Sequence, residues 1–307
     1  MKTVPTPVKP SYWSERRKEA TAGLLYISPF FILFAIFGLF PMLYSFYLAF
    51  QNWNGLGEMK FVGFANFQLI MSDPLFWRSI YNTVILGLLG TLPQILVAIP
   101  LAALLNAAWL RFRNLFRIAI FMPYVTSTVA VALVFSVIFS EHPSGLANSF
   151  FSLFGFEQIF WKKEEWAVKV AISVMVFWRW VGYNTIIFLA GLQRIPHDLY
   201  EAATIDGASA VQQFRFITLP LLRPVIVFVT FLSTIGAWQL FVEPLVFYGN
   251  VNLVREEGMT IVLYLWKEAF ANSAFGTASA SAIILFLIIA LFSALNLKLS
   301  GRTGNAA

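Results

Sequence analysis

Six stretches of this chain are each long and apolar enough to cross a bilayer, and no other feature restricts its fold as much. A helix needs about 20 residues to traverse a hydrocarbon core of about 30 Å. The stretches lie at about 23–48, 82–106, 116–139, 168–191, 221–247 and 277–299 of the 307 residues. Hydrophobic residues make up 59% of the sequence and charged residues 12%, where soluble domains carry about a quarter charged. With no water to satisfy backbone N–H and C=O groups, a helix is the economical way to span such a medium. The expected fold is therefore all-α integral membrane, with six transmembrane helices. Pro41, Pro93, Pro100, Pro123, Pro224 and Pro244 fall inside spans and are expected to kink rather than break them. The apolar run from Gly23 to Phe50 is too long for a cleavable signal core of about 7–15 residues and reads as a retained first span.

Charge sets the orientation. With the N-terminus inside, thirteen Lys and Arg residues fall on the cytoplasmic side, among them Lys2, Lys9, Arg16, Arg17, Lys18, Arg111, Arg113, Arg117, Arg194, Arg215, Arg223, Lys298 and Arg302. Seven fall outside (Lys60, Arg78, Lys162, Lys163, Lys169, Arg255, Lys267), and Arg179 lies within a span. Both termini are then cytoplasmic. The net charge of +6 belongs to span flanks rather than to a basic stripe, so no nucleic-acid partner is expected. Zero cysteines exclude disulfides and thiolate metal sites. Residues 1–20 read as a cytoplasmic tail, 21–300 as the transmembrane domain with a cytoplasmic loop at about 194–220, and 301–307 as a second tail. The first ten or so residues and those after Gly301 look disordered. The outer segments 51–81, 140–167 and 248–276 are rich in aromatics, including Trp53, Phe76, Trp77, Trp161, Trp166 and Trp266. Such residues at span ends are read as interfacial anchors, with a platform for an external partner as a compatible role.

The loop between the fourth and fifth spans is polar and small: Glu201-Ala-Ala-Thr-Ile-Asp-Gly207, then Ile217-Thr-Leu-Pro220. Pro196 suits a helix start. Leu199, Ala202, Ala203 and Ile205 form a short apolar face. Asp206-Gly207 signals a turn, with a positive φ at the glycine, and Asp206 or Ser209 is placed to cap a second helix. Leu219-Pro220 is expected to bend the chain into the fifth span. The product is a helix-turn-helix along the membrane, too short to stand alone. It is either an ordinary amphipathic interfacial loop or a surface that docks on something else.

The spacing E-A-A-x3-G-x9-I-x-L-P resembles the signature loop of ABC importer permeases, and all seven anchor positions match: Glu201, Ala202, Ala203, Gly207, Ile217, Leu219 and Pro220. The resemblance extends through Asn82-Thr-Val84, Arg117–Pro123, Leu192–Pro196, Asp206–Ser209, Thr218–Pro224 and Phe275–Ala280, and is strongest to the maltose and glycerol-3-phosphate branch. The segment Tyr248–Arg255 departs from it, lacking the usual Gly-Gly-Pro run. The resemblance implies a type I ABC importer permease in a bacterial or archaeal plasma membrane. It implies four kinds of partner: a second six-span permease, two cytoplasmic ATP-binding subunits, an extracytoplasmic solute-binding protein, and a sugar as solute. Glu201, Ala202, Ala203, Asp206, Gly207, Ile217, Leu219 and Pro220 would then couple this chain to the ATPases. No phosphate-cradling G-x-x-x-x-G-K-[ST] occurs, so the chain is read as a non-enzymatic subunit that binds no cofactor, ATP and Mg being used by its partners.

Ionisable groups inside spans face the bundle interior by default, which singles out Arg179 and Glu243. Sugars take aromatic faces for their C–H surfaces and amides for their hydroxyls, which adds Trp178, Tyr183, Asn184, Trp238 and Gln239 to the candidate path; inter-helix packing is the competing role for each. At least one of Arg179, Asn184 and Gln239 is expected on an internal cavity. His142 and His197 sit on opposite sides as loop residues. Ala278–Ala282 is expected to be a close-packing face. A di- or oligosaccharide is the preferred solute, with glycerol phosphate or another polar solute as alternatives. The competing function is an ion-coupled secondary carrier, for which paired charges and internal repeats would be the marks. A structural scaffold would leave the loop unexplained.

Overall fold

Apolar runs of this length put the backbone into helices, and the computed structural model, which describes residues 12–107 and 109–304, is almost wholly helical. Lys2, Lys9 and the last three residues of the expected tail lie outside the described residues. The first crossing is α1 (Tyr12–Phe34), a π turn (Ala35–Leu39) and α2 (Phe40–Leu48). A two-stranded antiparallel hairpin follows, β1 (Gln51–Asn52) against β2 (Lys60–Phe61), with Gln51 opposite Phe61. Then come α3 (Ala65–Ser72), α4 (Pro74–Asn106), α5 (Arg113–Val125), α6 (Thr128–Ile138), α7 (Leu146–Ser152) and α8 (Glu165–Leu192). The chain ends with α9 (Asp198–Ile205), α10 (Ala210–Gln213), a π turn (Phe214–Thr218), α11 (Leu219–Trp238), α12 (Val242–Tyr248), α13 (Ile261–Trp266), a π turn (Lys267–Ala271) and α14 (Phe275–Gly304).

Among the described residues five helices are long and apolar enough to cross a membrane, and a bent pair makes a sixth when taken as one span. The third span is not the continuous helix expected at 116–139. It breaks between α5 and α6 by 91°, where Thr126 and Ser127 leave helical geometry for extended backbone. The fifth span also departs from expectation. It stops at Trp238 rather than 247, and Pro244 belongs to the separate helix α12. Elsewhere the prolines are absorbed. Pro93 and Pro100 lie inside the unbroken α4. Pro41 and Pro220 each follow a π turn by two residues, where Phe40 N–H reaches Ala35 and Leu219 N–H reaches Phe214. Proline cannot donate its N–H and crowds the carbonyl four residues back; the widened turn relieves that crowding. At the C-terminus, helix persists through residues 301–304, where a disordered tail was expected.

Two apolar clusters organise the bundle. One gathers Leu86, Phe135, Val168, Ile172, Met175, Trp238 and Leu285 with the segment from Phe247 to Tyr264. The other gathers Ala98, Ala102, Leu105, Phe188, Leu192, Leu222 and Val229. The N-terminal halves of α4, α8 and α14 thus share one end with the C-terminal end of α11, as alternate crossings require. The loop at 194–209 lies at the opposite end. In the first cluster Phe76 and Trp161 are fully buried, so these two are core residues rather than the interfacial anchors expected; Trp77 and Trp166 stay exposed. Lys169, expected as an outer-loop charge, is fully buried in α8 and bonds Glu165 at 3.0 Å, which also pairs with Arg78 of α4 at 2.8 Å. Asn82 of α4 donates to the carbonyls of Glu256 and Met259, and Thr83 Oγ1 accepts from Ile261 N–H. These bonds pin the irregular 256–261 segment onto the bundle.

Small residues permit the closest approaches. Ala278, Ala280 and Ser281 are buried on α14, the close-packing role expected of that run. A Cβ on Gly182 would lie 1.7 Å from the carbonyl oxygen of Ile120, where α8 crosses α5. Glycine is required there by contact with backbone, which cannot step aside. We expect Gly182→Ala to lower stability by about 1–3 kcal/mol or prevent folding, and Gly236→Ala, whose added methyl meets nothing within 4 Å, to stay within about 1 kcal/mol of the parent. Thermal unfolding of both variants in detergent checks this contrast.

Candidate functional site: a central cavity and a capped turn

Between the two apolar clusters, halfway along the helices, is a cavity of about 250 Å³. Helix α4 contributes Leu86, Gly87, Thr91 and Gln94; α5 contributes Tyr124; α8 contributes Val176, Trp180, Tyr183 and Asn184. Helix α11 supplies Leu232, Ser233 and Gly236, and its C-terminal end supplies Gln239 and Leu240. No Asp, Glu, Lys, Arg or His is on this wall. Its polar side chains are amides and hydroxyls, two of which are bonded to each other. Asn184, buried, donates to Gln94 Oε1 at 3.2 Å, and Gln94 donates to the Val176 carbonyl at 3.3 Å. Three aromatic rings on the same wall pack together beside these amides. Tyr124 and Tyr183 stack at 4.4 Å, and Trp180 meets both edge-on at 5.2 and 5.6 Å.

Of the residues singled out from sequence, Tyr183, Asn184 and Gln239 line this cavity. Arg179 and Glu243 do not, although they pair with each other at 3.6 Å across α8 and α12. Trp178 is partly exposed and packs on Phe135 at 5.6 Å. Trp238 is buried against Phe292 and borders a second, more apolar crevice of about 210 Å³ between α4, α11 and α14. Sequence reasoning passed over Thr91, Gln94, Tyr124, Trp180 and Ser233. Gln94 carried a usable signal, being an uncharged hydrogen-bonding side chain deep inside an apolar span. His142 bonds Ser144 in its loop, and among the described residues no cluster suits a metal.

At the far end of α8 the chain forms the expected turn. Helix α9 ends in a Schellman arrangement: Gly207 N–H bonds Thr204 O at 3.1 Å and Ala208 N–H bonds Ala203 O at 2.8 Å. Gly207 takes the required positive φ of 79°. Ser209 then caps α10 with a reciprocal box, its Oγ accepting from Gln212 N–H while Gln212 Oε1 accepts from Ser209 N–H at 2.7 Å. Two further bonds brace the turn against the next helix, Tyr200 Oη to Thr218 Oγ1 at 2.9 Å and Gln213 Nε2 to Thr204 Oγ1 at 2.9 Å.

The second helix, however, does not lie apart from the fifth span. Residues Ala210–Trp238 form one 29-residue helical run, which Leu219-Pro220 does not interrupt, the π turn ahead of Pro220 accommodating the proline. Ile217 and Leu219 are half-buried and Pro220 is exposed. No residue of α9 is buried. Glu201 is two-thirds exposed, accompanied by His197 at 3.0 Å, Ala202 and Asp206 are exposed, Ala203 is half-buried, and Ile205 is 86% exposed. Among the described residues, the short apolar face expected on α9 is thus mostly uncovered, only Ala203 being half-buried.

A family profile described as "Binding-protein-dependent transport system inner membrane component" matches residues 94–304, more than half the chain, including the turn and the cavity-lining residues from Gln94 onward. The chain belongs to this family. It is 37% identical to the arabinooligosaccharides transport system permease protein AraP of Bacillus subtilis (strain 168), over 97% of this chain and 95% of that one. It is 37% identical to the lactose transport system permease protein LacF of Rhizobium radiobacter, over 91% and 94%, and 30% identical to the trehalose/maltose transport system permease protein MalF of Thermococcus litoralis, over 92% and 94%. The same fold recurs in the crystal structure of a bacterial ABC transporter involved in importing the acidic polysaccharide alginate. There the TM-score is 0.80 at 22% identity, covering 94% of this chain and 98% of that one. The chain is thus an integral membrane permease subunit of an ABC transport system, and the carrier and scaffold readings are set aside.

The Gln94–Asn184 bond is a point of vulnerability, since a buried amide without its partner costs about 1–3 kcal/mol. Gln94→Leu is expected to destabilise the permease by that amount. The double variant Q94L/N184L should recover part of the loss, because neither amide is then left unpaired. A double-mutant cycle on detergent unfolding midpoints measures the coupling.

Proposed function

We propose that this chain forms one half of the translocation path for a sugar, a di- or oligosaccharide by preference, in an ATP-driven importer. The observation that carries this reading is the cavity wall, which combines three mutually packed aromatic rings with a set of amides and hydroxyls. Aromatic faces cover the C–H surfaces of a pyranose or furanose, and side-chain amides and hydroxyls exchange hydrogen bonds with its hydroxyl groups. The sugars in the names of the arabinooligosaccharide, lactose and trehalose/maltose permeases support the same class.

The chain then sits in a bacterial or archaeal plasma membrane with both termini and the 194–209 turn in the cytoplasm. Its partners are a second permease, two ATP-binding subunits and an extracytoplasmic binding protein. The crystal structure of an alginate transporter in complex with a bound periplasmic protein supports the last of these. Helix α1 is uncovered by the rest of the chain, which suits contact with lipid and with the second permease. ATP and Mg belong to the ATPase subunits. The exposed α9 and its braced turn are the docking element: Glu201 offers the charged contact, Ala202 and Ala203 allow close approach, Asp206 and Gly207 set the turn, and Ile217, Leu219 and Pro220 join it to the fifth span.

In the importer reconstituted in liposomes, Trp180→Ala and Tyr183→Ala should each lower arabinotriose uptake at least about tenfold, each removing an aromatic surface of about 1–3 kcal/mol, while ATPase subunits still co-purify. Gly207→Val, forced into a positive φ costing about 1–2 kcal/mol, should abolish ATP-dependent uptake with the permease still present at normal abundance; Glu201→Ala should weaken co-purification of the ATPases. Uptake that continues in vesicles lacking the ATPase subunits would overturn this assignment.

A further inference from the structure

Arg179 lies near the middle of α8, deep in the protein, yet the cavity beside it carries no charge on its wall. Its guanidinium lies 5.4 Å from the ring centroid of Trp180 and 5.9 Å from that of Tyr124, both of which line the cavity. The positive charge therefore sits one aromatic layer away from whatever occupies the cavity. An unbalanced charge at that depth would attract anions through a medium of low dielectric. The balance comes from Glu243, whose Oε1 is 3.6 Å from Arg179 Nη1, with the two side chains only 8% and 16% exposed.

The geometry of this pair is unlike that of a pair built for stability. At 3.6 Å it lies beyond a good hydrogen bond, and Arg179 Nε has no hydrogen-bond partner among the described residues. Burying two charges for so loose a contact recovers little of their desolvation. The pair spans two elements of different attachment. Arg179 is on the long unbroken α8, and Glu243 is on α12, which follows the end of α11 and packs on α6 and α8.

We propose that Glu243 is the counter-ion that keeps this half of the cavity electrically neutral, and that it thereby selects uncharged sugars against acidic ones. The proposal rests on the sugar reading above. It makes Glu243 a specificity residue that acts through Arg179 without touching the solute. The aromatic wall provides affinity for a sugar ring of any charge, and the ion pair decides which charge is accepted.

The test uses the complex of this chain with its second permease and ATPase subunits in detergent, without binding protein, so that selection upstream is removed. Binding of three trisaccharides is followed by tryptophan fluorescence: arabinotriose (neutral), trigalacturonate (acidic) and the glucosamine trimer (basic). In E243Q the ratio of trigalacturonate to arabinotriose affinity should rise about tenfold, the size of a unit charge acting over about 10 Å at an effective dielectric of about 20. R179Q leaves the carboxylate alone and should instead gain the glucosamine trimer by a similar factor. The double variant R179Q/E243Q should return to the parent preference. An unchanged ratio in the single variants, or a double variant that keeps the gain, would overturn the counter-ion role, since a purely structural effect has no reason to follow the sign of the probe. If E243Q does not assemble, R179Q against the double variant decides the matter. Parent complex that binds none of the three sugars would instead sink the sugar reading, while gains of opposite sign in the two single variants would still support the counter-ion.

Discussion

The same-direction packing of α4 against α8 is the contact on which the rest of the bundle depends. One end is tied by Arg78 and Lys169 converging on Glu165. The middle is held by Gly90 against Val176 and by the Gln94–Asn184 bond, and the other end is closed by Ala98, Ala102, Phe188 and Leu192. Lipid tails give helices no hydrophobic reason to associate, so contact quality and buried hydrogen bonds must supply it. The seam meets that demand along its whole length. The remaining elements dock onto it: α5 across Gly182, α11 against the flank of α4, and the 256–261 segment onto Asn82 and Thr83. The cavity occurs where the seam carries amides rather than aliphatic side chains.

Irregular backbone is placed where it has a use. The widened turns before Pro41 and Pro220 keep two crossings helical that proline would otherwise interrupt. By contrast, the 91° break at Thr126-Ser127 and the stop at Trp238 are not repaired. Both lie close to the cavity, one just beyond Tyr124 and the other at Gln239. Non-helical backbone at such depth is tolerated where it is buried in protein or lines a cavity, as at Gln239 and Leu240, which line this one; Thr126 and Ser127 are exposed within this chain.

Much of this was legible in the sequence because the signals were local. Helix existence followed from apolar length, and the turn at Asp206-Gly207 from the rarity of positive φ outside glycine. The cap at Ser209 and the small-residue face at Ala278–Ala282 followed in the same way. What escaped depends on three-dimensional partners. The π turn ahead of Pro220 leaves no mark in a single sequence. Phe76 and Trp161 looked like membrane anchors because a buried aromatic and an interfacial one have the same composition. Arg179 and Glu243, singled out separately, are 64 residues apart in the chain, and nothing in their spacing announces that they meet. The cavity was half visible: Tyr183, Asn184 and Gln239 were found by chemistry, while Gln94 and Trp180 needed the seam to bring them to the same wall.

The continuity of Ala210–Trp238 has a mechanical consequence. At about 1.5 Å per residue, the run is a rod of roughly 43 Å with the capped turn at one tip and Ser233 and Gly236 near the other. The capped turn and this wall of the cavity are thus joined by a continuous helical backbone rather than only through packed side chains. The run ends at the break after Trp238, beyond which Glu243 lies on α12, packed against α6 and α8. One wall of the cavity and the ion pair beside it therefore belong to elements on opposite sides of that break.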